Sequence, residues 1–357
     1  MLLSIVSGVA LACTSAIISG SASKNGRPLL WKHRDTGVED NFVAKIEAKN
    51  VGEFDYVALY NAEDSIYRDA WLGMNEAGFA IMNTASYNLA PDTTEYKDRE
   101  GVVMALALSK CRTLADFENM LDTLPKPLGV QANFGLIDAT GDGAYYETDD
   151  YRYVKYPLKE AKDGILIRTN YSHNRNVDGG YGYIREENAR QLLAPYILAD
   201  SITASTFTEG LSCSFYHSLI GRDFSKGEDR WVVDQDFIPR RSSTASVVIE
   251  GVQPGEDTSL YIMWTKIGYP PCSKVVPVMV DDVPRELQPD PLTWHSPLCD
   301  FVVEQKHKVF SIKRGSGKNY IDMDLLKEIM KQQSTISQEN YKKGYIKREE
   351  KAKSLKK

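Results

Sequence analysis

Cys13 directly follows Ala10-Leu11-Ala12, the small-x-small end of the apolar segment "MLLSIVSGVALA". That pattern marks the cut site of a secretory leader. A cut after Ala12 makes Cys13 the first residue, so a thiol and a free α-amine share one residue. A thiol needs a base before it is a nucleophile. An α-amine, with a pKa of about 7.7–8.0, is far easier to deprotonate than lysine. It can take the thiol proton directly or through one water, and later give it to a leaving amine. The chemistry this suits is attack on an amide carbonyl through an acyl-thioester. The segment is shorter than a usual leader of roughly 15–30 residues and has no basic start. A first strand is therefore the alternative reading of Met1 to Ala12.

Other chemistries lose ground by their motifs. The histidines are His33, His173, His217, His295 and His307, and none forms HExxH. No GxSxG elbow, Walker A loop or GxGxxG turn occurs. Cys13, Cys111, Cys213, Cys272 and Cys299 include no CxxC pair, which argues against a structural zinc site. A papain-like Cys–His pair stays open, because such partners are distant in sequence. His33 and His173 read more readily as structural or surface residues. The net charge of -6 gives no global reason to bind nucleic acid. No apolar run approaches the roughly 18 residues of a membrane span.

The elements around Cys13 read as strands first. "TSAIISGSAS", "RPLLWKHR", "FVAKIEAK" and "DYVALYNA" are β-rich runs separated by turn residues. "AWLGMNEAGFAIMNTASYN" reads as a hairpin turning at "NEAG". "EGVVMALALSKCRTLADFENMLDTL" has helical spacing and splits near Arg112-Thr113. Strands return in "ANFGLIDATGDGAYYETDD" and "DGILIRTNYS". "IREENARQLLAPYIL" and "TFTEGLSCSFYHSLIG" read as helices. "SSTASVVIEGV" and "TSLYIMWTKIG" read as an antiparallel pair followed by "KVVPVMV". Blocks of strands and blocks of helices argue for α+β with packed sheets rather than βαβ repeats. The lysine-rich end from 316 to 357 reads as a solvated helix fraying into a tail.

The blocks "CTSAIISG", "GRPLLWKHRDT", "GMNEAGFAIMNT", "GILIRTNYS", "IPRRSSTASVVI" and "LYIMWTKIGYP" occur in that order from Cys13 to Pro271. Together they resemble the linear amide C–N hydrolases. That family holds choloylglycine hydrolases, penicillin V acylases and acyl-coenzyme A:6-aminopenicillanate acyltransferases, and the likeness is closer to the acyltransferase-like branch. The resemblance implies a four-layer αββα sandwich of the N-terminal nucleophile hydrolase type, with mostly antiparallel sheets. It implies Cys13 as nucleophile and Asp35 as the aspartate holding its amine and thiol. The family arginine just before that aspartate falls among Lys32, His33 and Arg34, with Arg34 favoured. Asn170 matches the side-chain donor of the oxyanion hole. Asn83 matches an earlier strand asparagine, with Asn88 as rival, and Arg241 an arginine near the nucleophile, with Arg240 as rival.

The chemistry asks for these types independently. Neutral N–H donors stabilise an oxyanion without adding a competing base. An aspartate favours the ammonium form of the amine, and an arginine balances the aspartate. The resulting expectation is a leader over 1–12, one domain over 13–315 and the tail beyond. The protein is expected in the periplasm or secreted, acting on a small N-acyl amide. No cofactor, metal, nucleic acid or membrane span is expected, and a homo-oligomer is left open. The rival functions are an acyltransferase of the same mechanism and a lipid-anchored binding protein modified at Cys13.

Overall fold

The computed structural model describes residues 12–62, 64–90, 97–313 and 319–356, so Ala12 is the part of the expected leader that it includes. The chain enters on β1 (Thr14–Ile18) and turns back on β2 (Leu29–Asp35). An antiparallel meander follows: β3 (Asn41–Ile46), β4 (Tyr56–Asn61), β5 (Leu72–Asn75), β6 (Ala80–Ala85), β7 (Ala132–Ile137), β8 (Gly143–Thr148) and β9 (Tyr153–Pro157). Between β6 and β7 lie α1 (Glu100–Lys110) and α2 (Leu114–Thr123). The Arg112-Thr113 break is real. Thr113 caps α2 by accepting from the Asp116 N–H, and the Asp116 carboxylate accepts the Thr113 N–H in return.

The chain then returns to β1 through β10 (Ile165–Arg168) and crosses α3 (Tyr183–Leu198). The expected helix over "TFTEGLSCSFYHSLIG" is shorter than its pattern. A π turn (Thr206–Gly210) and a 3-10 turn (Leu211–Cys213) precede a small hairpin, β11 (Tyr216–His217) with β12 (Arg222–Asp223). After β13 (Trp231–Val233) come β14 (Ser243–Glu250), β15 (Ile262–Ile267) and β16 (Val276–Val278). These complete a six-stranded antiparallel sheet in the order β10-β1-β2-β14-β15-β16. α4 (Pro297–Val309), β17 (Ile312–Lys313), β18 (Asn319–Asp322) and α5 (Met323–Ser354) end the chain.

Strand periodicity sorts the apolar residues into layers. Ile17, Leu30, Val247, Ile249 and Met263 of the six-stranded sheet meet Val43, Val57, Leu59, Leu72 and Met82 of the seven-stranded one. Their alternates face outward. Phe42, Tyr56, Ala58, Ile81 and Phe134 pack under α1 and α2. Ala16, Ile18, Trp31, Val248 and Trp264 pack under α3, the π turn and α5. The layers therefore run helix, sheet, sheet, helix, as the resemblance implied. Both faces of each sheet are buried, so "LLW" and "VALY" read as continuous apolar runs rather than alternating ones. No described helix is long and apolar enough to cross a membrane.

The lysine-rich end is not a fraying tail. α5 buries Leu326, Ile329, Gln333, Ser337, Tyr341, Gly344 and Arg348 along one side. Trp264 meets Tyr341 with ring centroids 4.6 Å apart, and a Cβ on Gly344 would stand 2.5 Å from the same indole. Arg348 reaches the fully buried Glu250 at 2.6 Å. Of the α5 lysines, Lys347 and Lys351 pair with Asp282 and Asp281, and Lys327 donates to Gly227 O. The expected boundary near 316 thus falls inside a single packed unit. Removing one partner of a buried pair leaves the other charge stranded, at roughly 3–5 kcal/mol. Glu250 keeps donors from Asn25, Trp264 and Tyr345. Arg348→Ala should therefore cost about 3 kcal/mol in a denaturant titration. No change would mean that α5 is dispensable.

Candidate active site

Strand pairing brings the sequence-predicted residues to Cys13. β1 pairs Thr14 with His33 of β2 and Ser15 with Arg168 of β10. Continued to Cys13, those registers set it opposite Arg34 on one side and Asn170 on the other. Cys13 is 7% exposed and lines a cavity of about 610 Å³ with Lys32, Arg34, Asp35, Trp71, Asn83 and Glu100. Among the described residues no histidine lines that cavity, which removes the papain-like arrangement. The five cysteines are all unpaired and buried.

Asp35 ends β2, where β14 carries an extra residue between Ser243 and Ala245. That bulge puts Ser243 opposite Asp35. The Ser243 hydroxyl donates to Asp35 Oδ1 at 2.6 Å, and Arg240 Nη2 donates to Oδ2 at 2.5 Å. Arg240 Nη2 also reaches the Ala12 carbonyl oxygen at 3.3 Å. The carbonyl oxygen of the Ala12–Cys13 peptide thus meets the arginine that Asp35 holds. Arg241, the arginine favoured from the sequence, is elsewhere. Its backbone N–H donates to Asp234, and it does not line the Cys13 cavity. The two arginines enter the turn before β14, and it is Arg240 that reaches Asp35.

Lys32, His33 and Arg34 also separate by face. His33 points away from the cavity and meets Ser243 Oγ at 2.8 Å. Since that hydroxyl donates to Asp35, His33 must donate from Nε2, which leaves Nδ1 bare and the ring neutral. Burial pushes its pKa down to about 4, which agrees. Lys32 and Arg34 project between the sheets. Arg34 is spread over Asn41 Oδ1 (2.5 Å), Asn61 Oδ1 (2.8 Å) and the Trp71 ring, 5.0 Å from its centroid. Lys32 Nζ donates to Trp71 O at 2.9 Å and Asn83 Oδ1 at 2.7 Å. Because the ammonium only donates, Asn83 must turn its oxygen to Lys32, which leaves its NH2 for an occupant of the cavity. Burial lowers Lys32 to about 7 and Arg34 to about 10.

Asn170 is fully buried, donating from Nδ2 to Ala85 O at 2.9 Å. Its Oδ1 accepts from Arg185 Nη2 at 2.9 Å. Asn170 does not itself line the cavity; it lies behind Ala85, which does. Asn88, the rival to Asn83, braces the 172–176 loop through Ser172 O and Asn176 O, and does not line the cavity. Arg185 on α3 was missed. Its Nη1 donates to the Cys13 carbonyl oxygen at 2.6 Å and to Thr14 Oγ1 at 3.0 Å. The signal was a charge at the head of the buried stripe Arg185, Ala189, Leu193. Ser243 was missed as well, because the bulge that aims it is invisible in sequence.

The chain is similar in fold to solved structures from the family that the blocks around Cys13 resemble. An N-acylethanolamine-hydrolyzing acid amidase ortholog from Caenorhabditis elegans is 15% identical, covering 66% of this chain and 92% of that one, with a TM-score of 0.44. A variant conjugated bile acid hydrolase from Clostridium perfringens is 12% identical over 76% of this chain and 94% of its own, with a TM-score of 0.46. A penicillin V acylase from Agrobacterium tumefaciens is 14% identical over 75% of this chain and 86% of its own, with a TM-score of 0.38. At these identities and scores they carry no residue role and no substrate to this chain. Neither a protein-family model nor a curated protein matches it.

Gly182, just before α3, has φ +95°, and a Cβ there would lie 2.4 Å from Arg185 Nη2. Gly255, at φ +88°, has nothing within 4 Å of such a Cβ. Both alanine variants carry left-handed strain of roughly 1–2 kcal/mol. Gly182→Ala should lose about 1–3 kcal/mol more, since Arg185 must give up buried partners. Equal losses in denaturant titrations would show that Arg185 is not held as described.

Proposed function

We propose that the protein hydrolyses non-cyclic amide bonds, with Cys13 acting as an amino-terminal nucleophile after the preceding residues are removed. The observation that carries this reading is the surroundings of the Ala12–Cys13 peptide. Arg240, paired with Asp35, donates to its carbonyl oxygen, the β1–β10 register sets Asn170 opposite Cys13, and a cavity opens over the thiol. Once freed, the amine takes the thiol proton and Asp35 holds the resulting ammonium. The thiolate adds to the amide carbonyl. Asn83 offers a neutral N–H donor to the oxyanion, and the resemblance gives Asn170 the same part. The amine departs, and water opens the acyl-thioester.

The reading includes export, to the periplasm or beyond, with the leader cut by a peptidase or by the protein itself. Ala10-Leu11-Ala12 supports this. A lipid anchor on Cys13 fits poorly, because the thiol lies between two packed sheets beside Lys32 and Arg34.

The test compares three purified forms on a panel of N-acyl amides. Protein beginning at Cys13 should turn over. Cys13→Ser should fall by orders of magnitude with substrate affinity kept, because a hydroxyl is much harder to ionise than a thiol of pKa about 8.5. A form with one uncleaved extra residue before Cys13 should be inactive, since an amide nitrogen is no base. Normal turnover by that extended form, with its mass unchanged, would remove the α-amine from the mechanism.

A further inference from the structure

Lys32 is the group near Cys13 whose position this mechanism leaves unexplained. Ser15 pairs with Lys32, so Cys13, two residues before Ser15, is its diagonal neighbour on the same face. Diagonal neighbours are roughly 7–8 Å apart, within reach of a long side chain. Both residues line the one cavity. Nζ is tethered at two corners, by Trp71 O and Asn83 Oδ1. Both tethers are donations from nitrogen. One corner of the tetrahedral nitrogen therefore remains, and it can hold a proton or a lone pair without disturbing either tether.

Resting on the amidase reading above, we propose that Lys32 is a proton carrier of the reaction, giving its proton to the leaving amine and recovering one from the hydrolytic water. The balance is closed. The thiol proton moves to the α-amine, and the thiolate adds to the carbonyl. The C–N bond breaks as the departing nitrogen takes a proton from the Lys32 ammonium. Water then adds to the thioester as neutral Lys32 takes its proton. The C–S bond breaks, and the thiolate recovers its proton from the α-ammonium. Lys32 ends as it began.

The surroundings keep both forms of Lys32 within reach near neutral pH. Burial is the largest influence and disfavours the ammonium, and Arg34 on the same strand acts the same way. Cys13, just ahead of β1, when ionised, and Glu100 on α1 oppose it, leaving a pKa of about 7. Asp35, Lys97 and Asp98 complete the charged groups of the cavity. The arginine alternative cannot do this work, because a guanidinium stays protonated.

The experiment uses mature protein, the best substrate from the amide panel, and the variants Lys32→Arg and Lys32→Met. Labelling of Cys13 by iodoacetamide is measured alongside, to show that each site is built. Both variants should lose at least roughly 10²-fold in kcat, the usual scale of acid–base catalysis. Wild-type acylation, followed in single turnovers, should decline as pH rises through about 7, and that limb should vanish in Lys32→Met. In a third variant, Lys32→Ala, ethylamine in the buffer should restore part of the turnover, whereas it should restore none in Cys13→Ser. Near-normal kcat in Lys32→Arg, with the falling limb unchanged, would show that Lys32 supplies only charge and would overturn the proposal. If a variant fails to take up iodoacetamide, the wild-type limb and the ethylamine rescue decide. Failure of the amidase reading looks different: wild type and Cys13→Ser would then behave alike on every substrate.

Discussion

The burial of β1 on both faces fixes everything else. Ile17 faces one core, while Ala16 and Ile18 face the other. A slip of one residue would exchange these sets and turn the Ser15 hydroxyl away from Tyr145 on the opposite sheet. Register is therefore set far from the chemistry, by apolar packing. That register delivers Cys13 between Arg34 and Asn170, with Lys32 diagonal to it. The site is the polar end of a strand whose other residues are core.

The polar end carries a local surplus of positive charge. Lys32, Arg34, Arg185 and Arg240 surround Cys13 and Asp35, and burial makes each of the first three easier to deprotonate than in water. Such an arrangement costs folding free energy, and the sandwich around it supplies the stability to tolerate it. It favours states in which negative charge develops, such as a thiolate and then an oxyanion, and so matches the chemistry proposed. The neutral partners of Arg34, two asparagine oxygens and an indole face, fix the guanidinium without cancelling its charge.

What could be read from the sequence was local. The "NEAG" hairpin, the break at Thr113 and the pairing of β14 with β15 depend on neighbours in the chain, and each was legible. Cys13 was found from the cleavage pattern before it, Asp35 and Asn170 through a resemblance, and strand registers set Asn170 opposite Cys13. The misses share a cause. Arg240 and Arg241 are adjacent, and the turn before β14 decides which faces Asp35. Arg185 acts only because α3 docks against β1 and β10. The stripe on α5 runs through Gln333, Ser337, Gly344 and Arg348, whose burial a hydropathy pattern does not show.

The central claim is that the covalent chemistry occurs on Cys13 while Cys13 is the first residue. The direct measurement is the mass of the acyl-enzyme. Active protein is mixed with substrate, quenched in acid within a turnover, digested, and its peptides sequenced by mass. The account predicts the acyl group as a thioester on a peptide whose first residue is Cys13, with no residue before it. An acyl group on any other side chain, or on Cys13 with Ala12 still attached, would contradict it.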